Sequence, residues 1–114
     1  MSLYFYKAEL DRVVDGDTLD LFVDIGFGLK IKKRFRLLGI DCEEQHSEAG
    51  KKATKFLEDF LDEKDIFIRS EKPDSFGRWL CQLFVKMKGT DDQYYYLDVN
   101  SHMVVQGYAV KYKK

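Results

Sequence analysis

Period-two alternation dominates the first third of the chain. Leu19, Leu21, Val23 and Ile25 alternate with Asp20, Phe22 and Asp24, which is how a half-buried strand reads. Upstream, residues 3–14 mix Tyr, Phe, Leu and Val with charges and run into D-G-D-T at 15–18, a strand entering a turn. Gly26 and Gly28 bracket the next turn. Residues 29–40 then predict a third strand, with Leu29, Ile31, Phe35 and Leu37 on one side and Lys30, Lys32, Arg34 and Arg36 on the other. After that the period lengthens: Ala49, Ala53, Phe56, Leu57, Phe60 and Leu61 recur at helical spacing. Ser47 is a good N-cap and Glu48 suits the positive end of a helix dipole, so a helix is predicted at about 47–62. Strands follow at about 65–70 and 79–87, separated by a loop through Pro73 to Gly77, and a turn at 89–92 leads into a short strand through Tyr94 to Tyr96. Asp98 can cap a second helix over Val99–Gln106, with Gly107 where a helix end needs a left-handed residue.

Three strands, a helix and two more strands is the order of an OB-type barrel, a mainly β architecture with helices (α+β), although other small mixed folds share it. The 114 residues suit one domain over the whole chain. With 45% hydrophobic and 15% aromatic residues a core can form without metal or disulfide staples, which argues against disorder.

Charge adds a constraint: 19 basic against 20 acidic side chains leave a net charge of −1, so bulk electrostatics would not draw a polyanion and any nucleic-acid site must be local. The densest basic run, Lys30, Lys32, Lys33, Arg34 and Arg36, and the lysines around Tyr112 read equally well as a solvated strand face and a charged tail. Cys42 and Cys81 make neither a disulfide framework nor a zinc site, since no CxxC or HxxxH pair is present and His46 and His102 lie at unusual spacings. No signal-like N-terminus and no long apolar run occurs, so a monomeric cytoplasmic protein with no membrane association is expected, with export open if the N-terminus was trimmed.

Three segments carry polar groups suited to chemistry. V-V-D-G-D-T sets Asp15 and Asp17 either side of a glycine, although D-G is also an ordinary turn signal. F-R-L-L-G-I-D-C-E-E embeds Arg36 in a hydrophobic strand and ends it in Asp41, Glu43 and Glu44. Such an arginine tends to be paired or directed into a cleft, and clustered carboxylates repel one another unless a cation is shared. D-S-F-G-R-W-L puts Arg78 straight after a glycine, where an exposed turn arginine is equally readable.

These segments, with S-E-A opening the helix and D-V-N followed by V-V-Q-G-Y-A, together resemble the staphylococcal nuclease (thermonuclease) family nearly end to end. The resemblance implies a five-stranded OB-fold barrel, a bound Ca²⁺, and hydrolysis of DNA and RNA to products carrying a 3′-phosphate. It implies metal ligation by the carboxylates of Asp17 and Asp41 and by the main-chain carbonyl of Cys42, where the family usually has threonine. An oxygen ligand from the main chain survives that exchange, and a thiol is a poor ligand for so hard an ion. It further implies phosphate binding by Arg36 and Arg78 and a general-base role for Glu44.

The chain also departs from the family. Phe76 stands where a substrate-binding tyrosine is frequent, and Tyr112 lies near the tyrosines of the nucleotide pocket; these two are the remaining substrate-binding candidates. Glu43 replaces a usual proline, and the long loop before the helix is reduced to Gln45, His46 and Ser47, which tethers Glu44. The chain ends at Lys114, so the family's further C-terminal helix is expected to be absent or supplied elsewhere. Tyr94 to Tyr96 are read as barrel core and hairpin surface rather than as base-stacking platforms. The chief rival to a nuclease is a non-catalytic OB-fold module binding nucleic acid or protein, against which the carboxylate cluster argues; a structural fragment of a larger assembly is a third reading.

Overall fold

The inward alternation of the first three strands produces a coiled antiparallel meander. A computed structural model describes residues 5–44, 46–73 and 79–111, with the backbone alone at 71–73. It runs β1 (Phe5–Asp15), β2 (Thr18–Gly26), β3 (Leu29–Leu37), β4 (Ile40–Asp41), α1 (Glu48–Leu61), β5 (Ile66–Pro73), β6 (Trp79–Lys88), β7 (Tyr94–Asp98), α2 (Val99–Val105) and β8 (Val110–Lys111). The main sheet has the order β3-β2-β1-β5-β6-β7, and a parallel pairing of β3 with β6 at Phe35↔Trp79 and Leu37↔Cys81 closes it. Among the described residues, β1, β2, β3, β5 and β6 thus form a closed five-stranded barrel, and β7 lies outside it against β6. Register shifts at Leu10/Arg12 and Val13/Asp15 let β1 coil far enough to pair with both β2 and β5.

Leu19, Leu21, Leu37, Ile68, Leu83 and Val85 fill the barrel. One end is closed by α1, whose Ala53, Leu57 and Leu61 are buried and which packs on β1. Ser47 caps this helix as expected, its hydroxyl accepting from Gly50 N at 2.9 Å. Asp98 likewise caps α2, and Gly107 takes the expected left-handed conformation after it, at φ +83°.

The second helix buries Val99 and Met103 in the core and is also anchored by one buried polar side chain. Asn100 Nδ2 donates to the carbonyls of Leu38 (2.8 Å) and Cys81 (3.1 Å), while its Oδ1 accepts from Leu83 N at 3.0 Å. All three bonds are satisfied away from water, so they pin the end of β3 to β6.

The strand expected over 29–40 stops at Leu37. Gly39, at φ +80°, turns the chain, and Ile40–Asp41 form a separate strand paired with β8 through Ile40↔Lys111 and Asp41↔Val110. The apolar side expected for the β2–β3 hairpin is buried only near the barrel. Ile25, Leu29 and Ile31 are exposed, because the hairpin outruns the core, and Phe27 at its tip is bare to solvent. Tyr94, Tyr95 and Tyr96 are all on the surface and none enters the core.

The basic run on β3 is matched by acids across the sheet. Lys30 meets Glu9 at 2.6 Å, Lys32 meets Asp11 at 2.9 Å, and Arg34 grips Asp20 through two bonds of 2.8 and 3.2 Å. Asp20 is buried, and the Arg34 hydrogen bonds hold its carboxyl below the ordinary range against the opposing pull of burial, with Arg12 and Lys32 assisting. A carboxyl held low in the folded state stabilises above its unfolded pKa of 3.8, and that contribution disappears as pH falls through the folded value. Asp20→Asn is therefore expected to cost about 1.5–3 kcal/mol at neutral pH and to flatten the loss of stability in acid. Urea unfolding at neutral pH and at about pH 3 checks this; a variant as acid-sensitive as wild type contradicts it.

Candidate active site

The two-residue connection between β1 and β2, Gly16–Asp17, is the corner on which the site is built. Space, rather than an unusual backbone angle, demands the glycine: a Cβ there would stand 2.7 Å from Ala53 Cβ and 2.9 Å from Cys42 Sγ. Only a residue without a side chain lets α1 and the Cys42 segment close over the turn. Leu37 N donates to the Asp17 carbonyl at 2.8 Å, and the Thr18↔Arg36 register sets Arg36 beside it. Three separated segments converge here: the β1–β2 turn, the end of β3, and β4 with the residue after it.

Arg36 is the hub. Its Nη1 lies 2.8 Å from Asp17 Oδ2, and its Nη2 lies 3.2 Å from Asp41 Oδ1 while donating to the Ile40 carbonyl at 3.0 Å. Asp17 is 5% exposed, and both its oxygens are engaged: Oδ1 accepts from Thr18 Oγ1 at 3.0 Å and Oδ2 from Cys42 N at 2.9 Å. Burial works against the guanidinium charge, but the bonds to Asp17 and then Asp41 outweigh it and hold Arg36 above its ordinary pKa. Beside them the Cys42 thiol is pushed up to about 12, first by burial and then by the carboxylates of Asp17, Asp41 and Asp15. The same surroundings disfavour its thiolate form and with it a nucleophilic role.

Glu44 takes a different position. Its side chain is 79% exposed, and Oε2 lies 3.1 Å from His46 Nε2, outside the Asp17–Arg36–Asp41 group. Its backbone, however, is tightly held. The Glu44 carbonyl accepts from Ser47 N at 3.1 Å and Ser47 Oγ at 2.8 Å, and a Cβ on Gly50 would fall on that same carbonyl. Next to Asp41 opens a cleft of about 670 Å³, lined by Asp41, Cys42, Glu44, Lys52 and Tyr108 among others. Lys52 and Tyr108 were not singled out by sequence reasoning. Nothing marks Lys52 among the helix lysines, whereas Tyr108 sits inside the V-V-Q-G-Y-A segment and is fixed by stacking on Phe56, centroids 4.4 Å apart. Arg78, Phe76 and Tyr112 lie outside the described residues.

No three carboxylate, imidazole or thiol groups among the described residues converge as a ready-made metal cage. The donor type nevertheless suits a hard cation, since Asp17 and Asp41 bring carboxylate oxygens to the two arms of one guanidinium. Asp17, Asp41 and the Cys42 carbonyl would supply only part of an oxygen shell, leaving the remainder to water and phosphate.

A closed β-barrel capped by a helix, with a carboxylate–guanidinium cluster at its first turn, defines an OB-fold protein of the staphylococcal nuclease type. The family model described as Staphylococcal nuclease homologue matches residues 34–114, and the chain belongs to this family. It is 31% identical over 107 residues to Protein ParB of Escherichia coli, covering 94% of this chain and 58% of that protein. With Micrococcal nuclease of Shigella flexneri it shares 27% identity over 108 residues, 95% of this chain and 59% of the relative. With Endonuclease YhcR of Bacillus subtilis it shares 31% identity over 117 residues, 94% of this chain but 9% of that much longer protein. The chain therefore spans well under two thirds of these relatives. No helix among the described residues is long and apolar enough to cross a membrane.

Adding a methyl group at the corner separates the spatial role of Gly16 from a simple turn preference. Glycine-to-alanine changes at unstrained positions stabilise by about 0.4–1 kcal/mol. Gly16→Ala is expected to destabilise instead, by about 1–3 kcal/mol, because α1 and Cys42 must shift. Thermal unfolding reads the sign, and a neutral or stabilised variant refutes the packing argument.

Proposed function

We propose that the chain is a calcium-dependent nuclease that hydrolyses phosphodiester bonds of DNA or RNA. The observation that carries this reading is the meeting of Asp17 and Asp41, from distant segments, on the single guanidinium of Arg36. The nuclease and endonuclease names of two relatives support the same class of activity.

Asp17, Asp41 and the Cys42 carbonyl would hold the ion. When bound, Ca²⁺ supplies a Lewis acid for a phosphate oxygen. Arg36 carries a planar fork that matches phosphate oxygens and stays charged throughout; by exchanging its Asp41 bond for a phosphate oxygen it would meet the negative charge that develops on phosphorus. The resemblance adds Arg78 as a second such group. Glu44, on the rim of the adjoining cleft, is the base for the attacking water; it must exchange His46 for that water, and the Ser47 clamp on its carbonyl keeps the excursion short. A general base contributes about 10²- to 10⁴-fold and one placed charge donor about 3–4 kcal/mol, so neither suffices alone. Phe76 and Tyr112 remain substrate-binding candidates. A phenylalanine at the first position forgoes one phosphate hydrogen bond, at a cost of about 1–3 kcal/mol of binding.

One observation favours the rival reading of a non-catalytic binding module: the Glu44 carboxylate lies against His46 and not against the acidic pair. Incubating wild type with single-stranded DNA in Ca²⁺ and in chelator, beside Glu44→Gln, Arg36→Lys and Arg78→Ala, separates the two. Calcium-dependent cleavage is expected, reduced at least tenfold in each variant. Binding without cleavage by wild type would hand the protein to the rival.

A further inference from the structure

Across the paired stretches 5–8, 66–69, 82–88 and 94–98, directly opposed residues share a face, and Ala8, Ile66, Ile68, Leu83 and Val85 are the buried side. The outward side is an aromatic surface on which Phe5, Phe67 and Phe84 are only half-buried. Phe67 and Phe84 are cross-strand partners. Phe5 stacks on Phe67 with centroids 5.4 Å apart, and Tyr96 stands edge-on to both, at 5.7 Å from Phe5 and 5.3 Å from Phe67. Tyr94 and Tyr96 on the outermost strand are 62% and 51% exposed.

Cations are interleaved with these rings. Lys7 is opposed to Phe67, Arg69 to Phe5, Lys86 to Tyr96 and Lys88 to Tyr94. The carboxylate within these stretches on this face is Asp98, and its oxygens are occupied in capping α2 through Ser101 N and Oγ. Lys88 also meets Asp92 of the adjoining turn at 3.3 Å, while Lys86 sits 4.6 Å over the Tyr94 ring. The contrast with the β1–β2–β3 face is sharp. There Lys30, Lys32 and Arg34 each have an acid of their own. In a chain of net charge −1, this second face keeps a local positive excess.

Flat hydrophobic rings alternating with cations suit a flexible polyanion whose subunits are themselves flat rings. We propose that the outer face of β5, β6 and β7 with the start of β1 binds single-stranded nucleic acid, the bases stacking on the aromatics and the phosphates meeting Lys7, Arg69 and Lys86. A second copy of the chain fits poorly, because a two-fold contact would set the same cations against one another. The face is also continuous with the candidate active site. Leu80 pairs with Arg36, and the outward side of β6 runs on from it through Gln82 to Phe84, roughly 13 Å along the strand. The face would therefore extend the grip on a strand whose scissile phosphate lies at Arg36, a role that rests on the nuclease reading, whereas binding itself does not.

Fluorescence anisotropy in chelator, where calcium-dependent cleavage does not occur, tests binding separately. The probes are labelled oligothymidylate of about 16 nucleotides and the same label on a trinucleotide. Tyr96→Ala and Lys86→Ala remove exposed groups and spare the core, and circular dichroism checks their folding. Each is expected to weaken the long probe at least fivefold with the trinucleotide unchanged, and Lys86→Ala is expected to lower the salt slope by about one. The proposal is overturned if both variants bind the long probe as wild type does, if wild type does not bind it, or if polyglutamate displaces it as well as unlabelled oligothymidylate. A change in sedimentation with unchanged affinity would identify an interface between copies instead, and also overturns it. Cleavage in Ca²⁺ with binding indifferent to both variants defeats this face alone; face-dependent binding without cleavage defeats the nuclease reading alone.

Discussion

A single guanidinium draws two remote acidic segments of this protein together. Arg36 bonds at once to Asp17, Asp41 and the Ile40 carbonyl, and so ties the first hairpin turn to the segment that leaves the barrel after Gly39. Asp17 is buried, and that partner and the Cys42 N–H supply the hydrogen bonds its carboxylate needs there. The fold is arranged to let this happen. Gly16 leaves room for α1 and Cys42, Leu37 N holds the Asp17 carbonyl, and Asn100 locks the end of β3 against β6. Removing one partner of such a buried pair is costly because the other charge is left behind uncompensated.

The surface divides its charge with similar economy. One outer face of the barrel spends its lysines and arginines on acids of the same sheet, while the face built from β5, β6 and β7 leaves its cations among aromatic rings. Net charge alone concealed this, since a value of −1 averages a neutralised face with a basic one.

Much of the fold was legible from local pattern. The alternation through Leu19, Leu21 and Val23, the stripe of α1 and the caps Ser47 and Asp98 all appear where their periodicity and chemistry place them. What pattern could not supply was contact between remote segments. The pairing of Ile40–Asp41 with Val110–Lys111 leaves no local trace, and alternation continued through Ile25, Leu29 and Ile31 after the core had ended. The family resemblance carried by the D-G-D and F-R-L-L-G-I-D segments implied that Asp17, Asp41 and Arg36 share a site, although the reason for Gly16 proved to be close packing. Tyr94 to Tyr96 lie on the hairpin surface as one half of their reading had it and not in the core, because β-propensity says that a residue suits a strand and not which side of the barrel it occupies. The orientation of Glu44 toward His46 depends on a side-chain torsion that no sequence pattern encodes.

The central proposal is that Asp17 and Asp41, drawn together by Arg36, form one divalent-cation site. Thermal unfolding of wild type and Asp41→Asn with and without Ca²⁺ tests it most directly, because the Asp41 side chain is half exposed and its amide should leave the fold intact. At a calcium concentration about a hundredfold above Kd, wild type should gain about 2.7 kcal/mol and melt several degrees higher, whereas Asp41→Asn should show little or no shift. An equal calcium shift in the two proteins, or none in wild type, would contradict the account.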